Sequence, residues 1–159
     1  MEQKKFAIIA TKGTLDWAYP PFILASTAAA LGYEVEIFFT FYGLQLLKKK
    51  LDLKVSPLGN PGMPMPMGMD KWLPVVVQAL PGMEGMMTTM MKKKMKDKGV
   101  ASLEELRELS IEAEVKIVAC QMTVDLFDMN PNDFIEGVEF GGAATFFEFA
   151  GDADITMYI

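Results

Sequence analysis

The sequence has 159 residues, of which 51% are hydrophobic, and a formal net charge of −6. The length fits one domain, no apolar run reaches the roughly 18 residues of a membrane span, and the acidic balance argues against nucleic-acid binding. The chain lacks histidine and has one cysteine, which excludes a histidine-dependent catalytic triad, an internal disulfide and a cysteine-rich zinc site. The N-terminal residues show no signal-peptide pattern. We therefore expect a cytoplasmic protein without a metal or a cofactor.

The first part of the chain alternates strand-like and helix-like segments. Phe6–Ala10 is a compact apolar run typical of a buried parallel strand, and Val35–Thr40 predicts a second strand. Between them we predict a helix that begins near Pro20, because proline is tolerated in a first helical turn, and ends at about Leu31. A second helix is predicted over Leu44–Lys50. This order indicates a βαβ unit and a parallel sheet.

The middle of the chain, at about residues 57–99, is interpreted as an insertion within a single domain. Pro57–Asp70 is rich in methionine, proline and glycine, which predicts an irregular loop. Trp72–Leu80 predicts a short helix or an extended piece. From Met83 to Met95, six methionines recur at helical spacing on one face, so we predict a helix whose methionines pack.

The last part of the chain predicts the remaining elements of the sheet. Ser102 and Glu105 form a capping box that opens a helix ending at about Glu114. The segments that follow are a strand ending at Cys120, a short helix Met122–Asp128, a turn Pro131–Ile135, a strand Val138–Phe140, a helix Ala143–Ala150 and a strand Ala153–Ile159. The whole pattern predicts an α/β domain with a mainly parallel sheet of about five strands.

Cys120 is the best candidate for chemistry. It is predicted at the carboxyl end of a strand, where parallel sheets keep their binding crevices, and beside a helix start, which favours a thiolate. Gln121, Met122 and Thr123 follow it directly. The loops after the first two strands should border the same site, through Thr11, Gly13, Thr40 and Gly43. The alternative is a buried cysteine that packs as a small hydrophobic side chain.

A thiolate at Cys120 would accept sulfane sulfur as a persulfide, or would be oxidised. Without a second cysteine, the chain cannot resolve such an intermediate by itself. This favours a carrier that passes sulfur to another protein over a two-cysteine peroxidase.

The methionine-rich segment leaves other functions open. Methionine is suited to adaptable contact surfaces, so the protein is alternatively a non-catalytic subunit that docks a partner, such as a membrane protein, or a membrane surface. Thioethers are also soft ligands for Cu(I), which makes copper handling a third hypothesis. The methionines that alternate in the loop are Met63, Met65, Met67 and Met69.

Several motifs together resemble the DsrE/DsrF-like sulfur-relay family. They are Gly13–Asp16, Phe38–Leu44, Ala119–Asp125 and Gly137–Thr145. The resemblance covers essentially the whole chain. It implies a three-layer, flavodoxin-like α/β fold, a homo-oligomer or hetero-oligomer, and a cysteine at position 120 that carries persulfide sulfur. It also implies TusA-like or rhodanese-like sulfur donors and acceptors, so we expect a sulfur carrier or sulfurtransferase.

Overall fold

The computed structural model describes residues 3–159, in which five strands alternate with helices. In chain order these elements are β1 Lys5–Ala10, α1 Leu15–Ala30, β2 Glu34–Phe39, α2 Val75–Gln78, α3 Met83–Asp97, α4 Leu103–Glu112, β3 Lys116–Cys120, α5 Gln121–Leu126, β4 Val138–Gly141, α6 Ala143–Ala150 and β5 Ile155–Tyr158. Short 3₁₀ helices cover Phe41–Leu47, Pro66–Lys71 and Pro131–Asp133. Within residues 3–159, no helix has the length and hydropathy needed to span a membrane.

The five strands form one sheet in the order β4-β3-β2-β1-β5, and every neighbouring pair is parallel. Ile37 of β2 lies at the same level as Ile8 of β1 and Ile117 of β3, and all three side chains are buried. Such continuous apolar runs are typical of strands covered on both faces. The predicted α/β fold with a parallel sheet of about five strands is confirmed.

Helices cover both faces of the sheet. Because side chains alternate along a strand, Phe38 and Phe39 of β2 point to opposite faces. Phe38 packs in a buried cluster with Phe146 and Phe149 of α6, whereas the ring of Phe39 lies 5.6 Å from that of Phe22 in α1. The predicted three-layer arrangement is therefore confirmed.

α1 begins at Leu15, so the predicted start near Pro20 is wrong, and Pro20 and Pro21 lie inside the helix. The first turn is anchored because the backbone N–H of Leu15 donates to the carbonyl of Lys54 at 2.8 Å. The carboxylate of Asp16 also accepts from the backbone N–H of Ser56 at 2.8 Å and from its hydroxyl at 2.7 Å. These contacts involve residues distant in sequence, which a local pattern does not reveal.

The helix predicted over Leu44–Lys50 is wrong in type and position, because the segment forms the 3₁₀ helix Phe41–Leu47. The backbone N–H of Gly43 donates to the carbonyls of Thr11 and Thr40, which tightens this turn directly after β2. At its far end, the guanidinium of Arg107 donates to the carbonyls of Leu46 and Lys48, at 3.1 and 2.8 Å. Arg107 thus pairs carbonyl groups that the 3₁₀ helix leaves free.

The chain forms two compact units. The first unit contains residues 3–13, Trp17–Asp52 and Ser102–Ile159, and therefore the whole sheet. The second unit contains Thr14–Asp16 and Leu53–Ala101. That the latter region is an insertion at about residues 57–99 within one domain stays a prediction.

The second unit contains several buried side chains. Val55, Met65 and Met87 are buried, and the backbone N–H of Val55 donates to the hydroxyl of Thr88 at 3.0 Å. The predicted packing of the α3 methionines holds only in part, because Met86 and Met90 are exposed. The apolar stripe of α3 is narrower than the methionine spacing predicts.

Candidate functional site

Cys120 is the last residue of β3 and lies directly before α5. In the neighbouring strand β4, Gly141 is its pairing partner. The Cys120 side chain belongs to the buried cluster that contains Phe38 and Phe146. The position at the carboxyl end of a parallel strand is the one that the sequence predicts. The residue is only 5% exposed, as expected for the alternative of a buried cysteine that packs as a small hydrophobic side chain.

Two threonine hydroxyls lie beside the thiol. Thr40 follows β2, the strand next to β3, and its Oγ1 lies 3.3 Å from Oγ1 of Thr123 in α5. Thr123 is fully buried, and its Oγ1 also accepts from the backbone N–H of Phe41 at 3.2 Å. One buried hydroxyl therefore connects the helix after Cys120 with the loop after β2.

The surroundings of Cys120 favour its thiolate. Burial raises the pKa of the thiol, but hydrogen-bond donation lowers it more strongly, so the pKa lies below its ordinary value. The donors are the hydroxyl and backbone N–H of Thr123, the hydroxyl of Thr40 and the backbone N–H of Met122. Cys120 makes no regular capping hydrogen bond to α5, so these are weak contacts to a large, polarisable sulfur.

Three exposed rings lie next to these threonines and are called the aromatic cluster: Phe41, Tyr42 and Phe127. The rings of Tyr42 and Phe127 are stacked at 5.7 Å, and Phe41 meets Phe127 edge-on at 6.3 Å. The exposed fractions of Phe41 and Tyr42 are 44% and 63%. Phe41 has a backbone φ of +48°, an unfavourable conformation for a bulky residue, in which its N–H reaches Thr123.

The remaining predicted site residues have other contacts. The Thr11 hydroxyl donates to the carbonyl of Ile159 at 3.1 Å, and the Gln121 side chain donates to Asp125 at 2.8 Å. Gly13 and Gly43 are places of close backbone approach, since a Cβ there would overlap the carbonyl oxygens of Tyr42 and Ala10, respectively. Of the predicted set, the structure brings Thr40, Met122 and Thr123 to the thiol.

Sequence reasoning missed the aromatic cluster, although part of its signal was present. Phe41 and Tyr42 directly follow Thr40, which was already predicted at the site. Phe127 lies at the end of the helix that Cys120 precedes. What the sequence does not reveal is the unusual backbone of Phe41, because that depends on a contact with Thr123.

The sequence of the chain is similar to a known family and to curated proteins. Residues 2–158 match the model of the DsrE/DsrF/DrsH-like family. The chain is 79% identical to the sulfur carrier protein DsrE2 of Allochromatium vinosum over the full length of both. It is 32% identical to the uncharacterized protein YrkE of Bacillus subtilis over 99% of this chain and 98% of that protein.

A solved structure supports the fold. The crystal structure of the YchN protein from Escherichia coli superposes with a TM-score of 0.56, covering 99% of this chain and 100% of that one. The sequence identity is 12%, so this likeness concerns the fold alone.

Proposed function

The chain belongs to the DsrE/DsrF/DrsH-like family, and from this premise we propose that it is a sulfur carrier that holds sulfane sulfur on Cys120. The observation that carries the proposal is a lone thiol at the end of β3 whose pKa is lowered although it is buried. A lowered pKa increases the fraction of thiolate, which is the nucleophile in sulfur transfer. The name of the relative from A. vinosum, a sulfur carrier protein, agrees with this role.

The proposed cycle needs no external oxidant or reductant. In loading, the Cys120 thiolate attacks the outer sulfur of a donor persulfide, and the donor thiolate leaves. In unloading, a thiolate of the acceptor protein attacks the outer sulfur of Cys120, and the Cys120 thiolate is released. Since the chain has no second cysteine, both donor and acceptor come from other molecules.

Intact-mass measurement tests the loading step. After incubation with polysulfide or thiosulfate, the wild-type chain should gain one sulfur atom that a reducing agent removes. Cys120→Ser should gain none, whereas Thr27→Ser, a change at an exposed position of α1, should behave as wild type. Absence of the gain, or an equal gain in Cys120→Ser, would contradict the proposal.

The aromatic cluster is the proposed contact surface for the acceptor and donor proteins. Aromatic rings are over-represented at protein interfaces, and this cluster contacts the threonine that neighbours the thiol. Because Cys120 is largely buried, we expect transfer to need close docking of the partner. TusA-like and rhodanese-like proteins remain the partners to test.

A transfer assay separates docking from loading. Tyr42→Ser should slow transfer from the persulfidated chain to a TusA-like protein about tenfold or more, while loading from polysulfide stays unchanged. The matched control is Tyr158→Ser, which removes a similarly exposed ring from β5. If both variants transfer sulfur at the wild-type rate, the aromatic cluster is not the docking surface.

A second candidate function rests on exposed apolar side chains in the second unit. Met67 and Trp72 are both 87% exposed, and Val76 is also exposed. Such residues suit a non-catalytic subunit that docks a partner protein through the methionine-rich segment. In that case, deletion of residues 61–69 abolishes association with the partner, whereas Cys120→Ala has no effect on it.

A further inference from the structure

The second unit contains a small pocket of about 190 Å³. Its wall includes Gly59, Met63, Pro64, Asp70, Val75 and Gln78. The pocket is smaller than a typical drug-sized site, so it suits a small molecule or a single side chain.

One buried polar atom in this wall has no partner. Gln78 is 3% exposed, and its Nε2 donates to the carbonyl of Leu73 at 2.7 Å. A carbonyl oxygen only accepts, so this contact fixes which end of the amide is nitrogen and which is oxygen. Oε1 of Gln78 is buried and has no hydrogen-bond partner within residues 3–159. An unpaired buried acceptor is costly, which indicates that a donor belongs beside it.

Position 59 has no side chain, which lets its backbone lie close to Gln78 and Val75. A Cβ at Gly59 would lie 3.7 Å from Oε1 of Gln78 and 2.9 Å from Cγ1 of Val75. Gly59 has a backbone φ of +83°, which favours glycine at this position. Gln78 lines the pocket together with Gly59 and Val75, so its unpaired oxygen belongs to the pocket wall.

The other groups of the wall define the chemistry of the ligand. Asp70 adds a carboxylate that has no ion-pair partner among the described residues. Two acceptors would repel an anion, while Pro64 and Val75 offer apolar surface to a short carbon chain. We propose that this pocket binds a primary ammonium group with a short alkyl chain, from a small organic amine or from a lysine side chain. The ammonium donates to Oε1 of Gln78 and pairs with Asp70.

NMR titration of the full chain tests this binding. Ethylammonium chloride, at concentrations on the order of 10 mM, should give saturable shifts of the Gln78 side-chain amide and the Val75 methyl groups. Tetramethylammonium chloride, a cation without N–H donors, should give none. A parallel titration with Nα-acetyl-lysine amide distinguishes the sources, because tighter binding of this compound indicates a lysine side chain and tighter binding of ethylammonium a free amine.

Matched variants separate the pocket from general charge effects. Asp70→Asn should weaken ethylammonium binding about fivefold or more, since it removes a charge-assisted contact. Asp97→Asn makes the same charge change in the same unit at an exposed position of α3 and should leave binding unchanged. The proposal is overturned if no saturable shift occurs (a pocket that holds water only), if tetramethylammonium binds equally, or if both variants weaken binding equally.

Discussion

At the scale of single residues, Thr123 interacts both with the Cys120 thiol and with the loop after β2. Its hydroxyl contributes to lowering the pKa of the Cys120 thiol and accepts the backbone N–H of Phe41. Thr123 is fully buried, so water does not replace either contact when the hydroxyl is removed. We infer that Thr123 is a positioning residue for the thiolate and for the aromatic cluster together.

Thr123→Val should raise the pKa of the Cys120 thiol, because it removes a hydroxyl donor and leaves the burial unchanged. The thiolate fraction at neutral pH, and the loading rate with polysulfide, should fall several-fold. The ultraviolet absorbance of the thiolate, followed against pH, measures the change directly. Thr123→Ser should restore the wild-type profile, and Thr27→Val should not alter it. An unchanged titration of Thr123→Val would remove Thr123 from the proposed mechanism.

Gly43 and Gly85 provide a contrast in the cost of adding one methyl group. A Cβ at Gly43 would overlap the carbonyl oxygen of Ala10 and lie 2.9 Å from its carbonyl carbon. Gly43→Ala should therefore lower the free energy of unfolding by about 3 kcal/mol. Gly85 lies inside α3 with open space around it, so Gly85→Ala should raise that energy by about 0.5–1 kcal/mol. Denaturant unfolding measures both, and equal effects would contradict the proposed close contact.

At the scale of elements, a buried carboxyl group of β2 lies next to a lysine of β3. Glu36 is fully buried in β2, opposite Lys116 of β3, whose Nζ lies 3.3 Å from a Glu36 carboxylate oxygen. Neither oxygen of Glu36 has a regular hydrogen bond to a described residue. Burial raises the pKa of Glu36, and Lys116 offsets this only in part. The ionised form is thus poorly solvated in the folded state.

Glu36→Gln should stabilise the protein at neutral pH, because the amide is uncharged and its burial does not carry the cost of burying a carboxylate. Below the ordinary pKa of a carboxyl group, both states are protonated and the difference should vanish. As the pH rises, the unfolded chain ionises first, so the wild type loses stability until the pH passes the folded-state pKa. Unfolding measured at several pH values checks this, with Glu112→Gln, at an exposed position of α4, as control. A stabilisation that persists in acid would contradict the explanation.

The strands and most helices follow from local sequence, because apolar runs and capping residues act at short range. The predicted capping box at Ser102 and Glu105 is present in α4, for example. The misplaced start of α1 and the 3₁₀ helix after β2 have a different origin. Both depend on partners far along the chain, such as Ser56 for Asp16 and Arg107 for Leu46. A pattern confined to neighbouring residues contains no information about such partners.

At the scale of the whole molecule, the two compact units should open separately. Val55 is fully buried in the second unit, so Val55→Ala should destabilise that unit by about 2 kcal/mol. Hydrogen exchange followed by mass spectrometry should become faster within residues 53–101, while the sheet stays protected. Ile117→Ala in β3 should instead make hydrogen exchange faster in the sheet and leave exchange within residues 53–101 unchanged. Faster exchange throughout the chain in both variants would indicate a single cooperative unit.

The sequence predicts where the candidate site lies in the fold, but it does not predict the contacts within the site. The strand end and the following helix place Cys120 from sequence, and strand neighbourhood places Thr40 beside it. Burial of the thiol and the contact between Phe41 and Thr123 arise from how the loops pack. Those loops meet only in the folded chain, so local patterns do not predict their contacts.

The uncharged groups around the Cys120 thiol have a consequence for its titration. The donors that lower the pKa of Cys120 are hydroxyl and amide groups, which carry no net charge. Mobile ions screen charges over roughly 10 Å at 0.1 M but have little effect on short contacts between dipoles and a buried sulfur. The titration of Cys120 should therefore be nearly independent of ionic strength between about 0.05 and 0.5 M, unlike that of a thiolate paired with a surface cation.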